Sequence, residues 1–183
     1  MNIPNILTTI RFFLIPAFII VFYSSIENSL LYATYIFVLA GITDVLDGYI
    51  ARKYDMVTKY GTVLDPLADK LMQIAALICF TSEGYIPIWV IIVIGLKEIT
   101  MILGGLLLYF KENKTVIPAN KFGKMATISF YVAILAVAFD FNYIINYILI
   151  TITVIIMLIA FIKYLIGFKR VKMVNNNKEC VDK

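Results

Sequence analysis

The chain has 183 residues, of which 62% are hydrophobic, and its mean hydropathy is +0.92. A composition this apolar argues against a water-soluble globular protein and favours several membrane-spanning helices. The net charge is +4, and the absence of histidine excludes every mechanism that needs an imidazole as base, nucleophile or ligand. Cys79, in an apolar segment, and Cys180, near the end, predict neither a disulfide nor a zinc site.

Six apolar segments follow one another along the chain and predict an all-α fold. They cover residues 4–23, 30–50, 61–80, 88–110, 125–139 and 143–168. Most are close to the length that a helix needs to cross the hydrocarbon core of a bilayer. We therefore expect a polytopic membrane protein, a six-transmembrane-helix bundle formed by residues 1–170. The basic, asparagine-rich tail, residues 171–183, is expected to be disordered.

The basic residues between these segments are distributed unevenly. The connectors after the second and fourth segments and the tail each carry several lysines and arginines, and those after the first, third and fifth carry none. Basic connectors stay on the cytoplasmic side of a membrane. This pattern predicts a multi-pass protein of the cell membrane with both termini in the cytoplasm.

The first segment opens with a polar stripe within N-I-P-N-I-L-T-T-I-R. Asn5, Thr8 and Arg11 recur every three residues, so a helix would place them roughly on one face. Two interpretations stay open. The stripe could anchor the helix at the lipid headgroups, or it could contact the headgroup of a substrate.

Four aspartates occupy the facing ends of the second and third segments. Asp44 and Asp47 are three residues apart, and Asp65 and Asp69 are four apart, so each pair shares a helix face. In a hairpin whose tip is near Met56, Asp47 and Asp65 lie at equal distances from the tip. We therefore expect all four carboxylates to form one cluster at the cytoplasmic boundary of the membrane.

Carboxylates in such a cluster repel one another, and an apolar environment makes their charge costly. Protonation, salt bridges or divalent metal ions could compensate that charge. Grouped oxygen ligands suit Mg²⁺ or Mn²⁺, and four carboxylates are enough for two ions that catalyse phosphoryl chemistry. The alternatives are a structural ion-pair network and a membrane cation transporter. The cations considered for the network are Arg52, Lys53, Lys70, Lys97 and Lys163.

The two segments also carry a longer pattern, D-V-L-D-G-Y-I-A-R, then eight residues, then G-T-V-L-D-P-L-A-D. This pattern resembles the signature of the CDP-alcohol phosphatidyltransferase family, D-x-x-D-G-x-x-A-R and G-x-x-x-D-x-x-x-D. All eight defining positions are filled: Asp44, Asp47, Gly48, Ala51, Arg52, Gly61, Asp65 and Asp69. The resemblance implies an enzyme that transfers a phosphatidyl group from CDP-diacylglycerol to an alcohol and releases CMP.

The resemblance also implies roles for individual residues. Asp44, Asp47 and Asp65 would bind the metal ions, and Asp69 would both lie near the second ion and act as the general base. The residues that would bind CDP-diacylglycerol are polar or small and lie near the aspartates or in the first segment: Asn5, Thr8, Gly48, Ala51, Arg52 and Thr58. The resemblance also implies that the protein forms a homodimer and contacts membrane lipids. No nucleic-acid partner is expected.

The acceptor alcohol is less well determined by the sequence. A phosphorylated acceptor requires cations, and the candidates are Lys97, Lys121 and Lys124, with Arg11 and Lys163 as secondary candidates. Members that use glycerol-3-phosphate commonly show R-E and G-K-x-K-T, where this chain has Lys97-Glu98 and G-K-M-A-T, with Ala126 at the second lysine. We expect glycerol-3-phosphate as the acceptor. The alternative is phosphatidylglycerol, as in a cardiolipin synthase that forms CMP.

Overall fold

The computed structural model describes residues 3–54, 61–111 and 121–181. Within these ranges the chain forms six helices and no strand, which confirms the predicted all-α fold. The helices are α1 (Ile3–Phe22), α2 (Ser29–Lys53), α3 (Gly61–Ser82), α4 (Ile88–Lys111), α5 (Lys121–Ala138) and α6 (Tyr143–Val181).

Among the described residues, two helices are long and apolar enough to cross a membrane, through Ser29–Ala51 of α2 and Tyr143–Phe168 of α6. Shorter apolar stretches, Ile6–Phe22 and Phe122–Ala138, lie in α1 and α5. Many large apolar side chains on these helices are exposed, as expected where the surrounding medium is lipid rather than water. The number of spans stays a prediction.

Tight turns join three successive pairs of helices. A residue with a positive φ angle occurs in each: Asn28 between α1 and α2 (62°), Gly84 between α3 and α4 (77°), and Asp140 between α5 and α6 (48°). Glycine adopts this backbone region freely, and Asn and Asp tolerate it better than most residues. The connectors that carry no lysine or arginine in the sequence are thus short turns.

The chain divides into two compact units, and the expectation of one bundle domain stays a prediction. The first comprises Met1–Ile88 with Ile134–Phe141, and the second comprises Trp89–Ala133 with Asn142–Lys183. The first unit contains α1, α2 and α3, which carry the signature aspartates. The second contains almost all of α4, most of α5 and all of α6.

An aromatic cluster fills the core of the first unit between α1, α2 and α3. Phe18 and Phe22, one turn apart on α1, are buried, and their ring centroids are 5.7 Å apart. The Phe18 ring is 6.1 Å from that of Phe37 on α2, and the Phe22 ring is 5.2 Å from that of Phe80 on α3. These rings bring α1 against both arms of the hairpin, and such pairs gain energy beyond simple burial.

In the second unit, α6 packs closely on α4 at a glycine of α4. The Tyr164 hydroxyl of α6 donates a hydrogen bond of 3.2 Å to the Met101 carbonyl of α4. A Cβ atom at Gly104 would lie 3.1 Å from the same hydroxyl, so glycine permits this close approach. The Thr153 hydroxyl of α6 similarly donates to the Ser129 carbonyl of α5 at 3.0 Å.

The last helix extends farther than the sequence indicated. Disorder was expected over residues 171–183, yet α6 continues through Val181. Residues 169–181 contain neither glycine nor proline, the residues that most strongly interrupt a helix. A helix that begins in an apolar segment can therefore continue into the polar tail without a break.

The aromatic cluster generates a prediction that compares two phenylalanines of α1. Phe18 is fully buried, whereas Phe13 is 71% exposed. Phe18→Ala should lower the free energy of unfolding by about 3 kcal/mol, because it leaves a cavity between three helices. Phe13→Ala serves as the control and should have little effect. Unfolding of the purified protein in detergent measures both, and equal losses would contradict the packing described here.

Candidate active site

Asp44 and Asp47 lie one turn apart near the C-terminal end of α2. Asp47 is buried, and the side chain of Asp44 is about one-third exposed. Their three-residue spacing directs both carboxylates to the side of α2 that packs on α1. The signature pair of this helix therefore faces a neighbouring helix rather than the surrounding medium.

Arg11 of α1 meets both carboxylates. Its side chain is only 1% exposed; Nη1 lies 2.7 Å from Asp44 Oδ1, and Nη2 is paired with Asp47 Oδ2. Nη1 also donates a hydrogen bond of 3.4 Å to the main-chain carbonyl of Asp65 on α3. One guanidinium thus joins three helices, and its fork of donors is suited to binding two carboxylates at once.

Thr8, one turn before Arg11, makes the corresponding contact with α3. Its buried hydroxyl donates a hydrogen bond to Asp65 Oδ1. Thr8 and Arg11 therefore lie on the face of α1 that contacts the aspartates of α2 and α3. For these two residues the structure favours a role at the cluster over a role as a headgroup anchor.

Asp69 is held by a residue of its own helix. The buried amide of Gln73, four residues later on α3, donates a hydrogen bond of 2.8 Å to Asp69 Oδ2. The Lys70 ammonium donates in turn to Gln73 Oε1 at 3.3 Å. Asp47, Asp65 and Asp69 lie within electrostatic reach of Asp44, and we refer to these four residues as the aspartate cluster.

This cluster has the donor chemistry of a divalent-metal site, because carboxylate oxygens are the ligands that Mg²⁺ and Mn²⁺ prefer. In the part of the chain that the structure describes, no three acidic, histidine or cysteine side chains converge closely enough to share one ion. The guanidinium of Arg11 lies between Asp44 and Asp47 and takes the place of such a cation. The donor set fits a divalent ion if Arg11 releases these oxygens.

The other residues predicted to bind CDP-diacylglycerol are only partly described. Gly48 and Ala51 lie on α2, next to Asp47 and one turn beyond it, and both are half-buried. The side chains of Asn5 and Arg52 lie outside those that the structure describes, and Thr58 lies outside the described residues.

The predicted acceptor lysines belong to the second unit. Lys97 is buried in α4 and forms an ion pair of 2.5 Å with Glu98. Lys124 is exposed on α5, and the side chain of Lys121 is not among those described. The contact with Glu98 agrees with a structural role for Lys97, and it leaves a role in acceptor binding as a prediction.

Other cations that were considered as partners of the aspartates make different contacts. The Lys53 ammonium lies over the rings of Tyr49 and Tyr54, and that of Lys163 lies over the ring of Phe122. The ion pairs that the structure shows at Asp44 and Asp47 are made by Arg11, which the sequence indicated as part of a polar stripe and as a secondary candidate for binding the acceptor.

Comparison with known proteins identifies the same family as the signature does. The family model described as CDP-alcohol phosphatidyltransferase matches residues 1–163. The chain belongs to this family. Its members are transferases and generally depend on divalent metal ions. Family membership therefore favours the enzyme over the membrane cation transporter.

Several relatives share the same printed name, CDP-diacylglycerol–glycerol-3-phosphate 3-phosphatidyltransferase. The protein of Bacillus subtilis is 37% identical over 147 residues, which cover 74% of this chain and 75% of the relative. That of Rickettsia typhi is 38% identical over 128 residues, or 69% and 70% of the two chains. That of Haemophilus influenzae is 48% identical over 91 residues, about half of each chain.

Arg11 and Gln73 contact the aspartates, but these contacts were not predicted from the sequence. The signal for Arg11 was a single cation within an otherwise apolar segment, which must find an acidic partner if it is buried. The signal for Gln73 was its position four residues after Asp69 on a predicted helix, where an amide can reach a carboxylate. The tertiary pairing of α1 with α2 was needed to identify the partner of Arg11.

The contact between Thr8 and Asp65 generates a prediction about stability. Thr8→Val keeps the shape of the side chain but removes the hydroxyl donor, so the free energy of unfolding should fall by about 1.5–3 kcal/mol. Thr100→Val is the matched control, because the exposed Thr100 hydroxyl donates to the Leu96 carbonyl within its own helix. Chemical unfolding in detergent measures both variants. If Thr8→Val lowers the free energy of unfolding no more than Thr100→Val does, the hydrogen bond from Thr8 to Asp65 does not stabilise the fold.

Proposed function

We propose that the chain transfers the phosphatidyl group of CDP-diacylglycerol to glycerol-3-phosphate, giving phosphatidylglycerophosphate and CMP. The observation that supports this proposal is the contact of Arg11 with Asp44, Asp47 and the main chain of Asp65, which brings three of the four signature aspartates together in a chain of this family. The relatives named for this reaction support the choice of substrates, including one aligned over three quarters of its length.

In the proposed reaction, a hydroxyl oxygen of glycerol-3-phosphate attacks the phosphorus that carries diacylglycerol. The Asp69 carboxylate accepts the hydroxyl proton, a new P–O bond forms, and the P–O bond to CMP breaks, so that CMP leaves with the bonding electrons. The hydrogen bond from Gln73 fixes Asp69 Oδ2 without neutralising the carboxylate. A carboxylate base is also consistent with a chain that contains no histidine.

Asp44, Asp47, Asp65 and Asp69 would hold Mg²⁺ or Mn²⁺ in two sites. When bound, such ions would neutralise charge on the diphosphate of the substrate. CDP would lie along Gly48 and Ala51, whose small side chains leave room beside α2. The fork of Arg52 suits diphosphate oxygens, and Asn5, Thr8 and Thr58 would complete the binding of CDP-diacylglycerol.

Lys97, Lys121 and Lys124 are proposed to bind the phosphate of glycerol-3-phosphate. One observation favours the second candidate acceptor, phosphatidylglycerol. Ala126 is buried and has a single-carbon side chain, so this position supplies no further cation for a phosphorylated acceptor. The two acceptors can be separated by offering each one alone.

The proposed setting of this reaction is a cell membrane. We propose six spans within one domain, residues 1–170, with both termini and the aspartates at the cytoplasmic face, and a homodimeric assembly. The apolar helices and the basic connectors after the second and fourth segments support this topology. It would let CDP and glycerol-3-phosphate approach from water while the acyl chains stay in lipid.

Release of CMP tests the reaction directly. Purified protein with CDP-diacylglycerol and Mn²⁺ should release CMP when glycerol-3-phosphate is added, and little when phosphatidylglycerol replaces it. EDTA should abolish the release, because no divalent ion would then neutralise the charge on the diphosphate of the substrate. Release with phosphatidylglycerol alone would move the assignment to cardiolipin formation, and no release with either alcohol would refute both reactions.

The role of Asp69 leads to a separate prediction. Asp69→Asn removes the proton acceptor and should lower turnover by about 10²–10⁴-fold, whereas Mn²⁺-dependent binding of CDP-diacylglycerol should change only a few-fold. Asp140→Asn is the control, because Asp140 is exposed and asparagine also tolerates its positive φ angle. Initial rates and equilibrium binding measure the two effects. Substantial turnover by Asp69→Asn would exclude Asp69 as the base.

A further inference from the structure

Arg11 is a buried cation that occupies two of the oxygens expected to bind metal. It pairs with Asp44 Oδ1 at 2.7 Å and with Asp47 Oδ2, and its side chain is only 1% exposed. These are side chains of the D-x-x-D half of the signature. A divalent ion that approaches these carboxylates is opposed by the guanidinium, because both are cations and both are stabilised by direct contact with the same negative charge.

The position of the guanidinium leaves one of its donors unsatisfied. Within the described residues, Arg11 Nε is buried and has no hydrogen-bond partner. A buried donor without a partner costs free energy, and a buried guanidinium donor more than a neutral one. Arg11 therefore makes two ion pairs but leaves its buried Nε donor without a partner among the described residues. The unpaired donor lowers the cost of moving the guanidinium away when a divalent ion binds.

The surrounding charges favour a cation beside Asp44 and Asp47. Asp44 is repelled by Asp69, Asp47 and Asp65, and Asp47 is repelled by Asp65. An apolar medium screens these repulsions poorly, and removing one partner from a buried ion pair leaves a charge that strongly destabilises the fold. A resident cation solves this problem whenever no metal is bound.

We propose that Arg11 is the internal counter-cation of the aspartate cluster and competes with divalent metal for Asp44 and Asp47. It holds the two carboxylates together in the absence of metal and withdraws from them when a metal ion binds. Arg11 thereby lowers the affinity for metal and stabilises the protein without it. This inference rests on the proposed metal-dependent function, and it assigns Arg11 a role that the signature does not contain.

Competition of this kind has a reciprocal consequence. If Arg11 weakens metal binding, metal must weaken the contact of Arg11 with the aspartates by the same factor. Loss of Arg11 should therefore raise the metal affinity and at the same time make the folded protein dependent on metal. A purely structural ion pair predicts neither the higher affinity nor the dependence.

The experiment uses the full chain in lipid nanodiscs, without substrate. Mn²⁺ binding is measured by electron paramagnetic resonance, and the thermal unfolding midpoint is measured in EDTA and in saturating Mn²⁺. Arg11→Met removes the charge while keeping an apolar stem. Lys53→Met is the matched control, because it removes an exposed cation of α2 that lies over tyrosine rings.

Arg11→Met should bind Mn²⁺ about tenfold or more tightly than the unchanged protein, a factor within the usual range for coupled sites. Its unfolding midpoint should be lowered in EDTA and largely restored by Mn²⁺. Lys53→Met should show neither effect. Arg11→Lys keeps the charge but loses the two-pronged fork, so its affinity should lie between those of the unchanged protein and Arg11→Met.

Several results would overturn the inference. Equal or weaker Mn²⁺ binding by Arg11→Met would show that Arg11 does not compete with metal, and so would equal destabilisation with and without Mn²⁺. If Arg11→Met does not fold in EDTA, Mn²⁺ added during purification should rescue it, and failure of that rescue would also refute the inference. Absence of Mn²⁺ binding by the unchanged protein would refute the metal-dependent function and this inference together. If the unchanged protein binds Mn²⁺ and Arg11→Met does not bind it more tightly, only this inference is refuted.

Discussion

The pairing of Arg11 with Asp44 and Asp47 is the constraint on which the first unit depends. A guanidinium and two carboxylates are buried between α1 and α2, and each would be far costlier without the others. The aromatic rings of Phe18 and Phe37 pack the same two helices without requiring one particular alignment. Apolar packing brings the helices together, whereas the ion pairs specify which turn of α1 faces which turn of α2.

The four aspartates are held by chemically different partners, and the difference matters for their roles. Asp44 and Asp47 face a full positive charge, whereas Asp65 receives a hydroxyl donor from Thr8 and Asp69 an amide donor from Gln73. A charged partner competes with a metal ion for the carboxylate. A neutral donor such as the Gln73 amide orients a carboxylate without neutralising it.

The sequence was sufficient to predict the parts that depend on local spacing. Apolar segments indicated six helices, and the intervals within Asp44–Asp47 and Asp65–Asp69 indicated that each pair would share a face. It was insufficient for Arg11, because its partner lies 36 residues away at Asp47 and only the packing of α1 on α2 brings them together. The continuation of α6 through Val181 was missed because polarity was taken to indicate disorder, although polar residues also form helices.

The position of Arg11 on the first helix has a consequence for biogenesis. A ribosome synthesises α1 before α2 and α3, so Arg11 leaves the ribosome before any of the four aspartates. In the proposed membrane setting, α2 would then enter the bilayer when the basic partner of Asp44 and Asp47 is already present, and the cost of inserting their charge would be reduced. The order of residues along the chain therefore delivers the neutralising charge ahead of the charges that it neutralises.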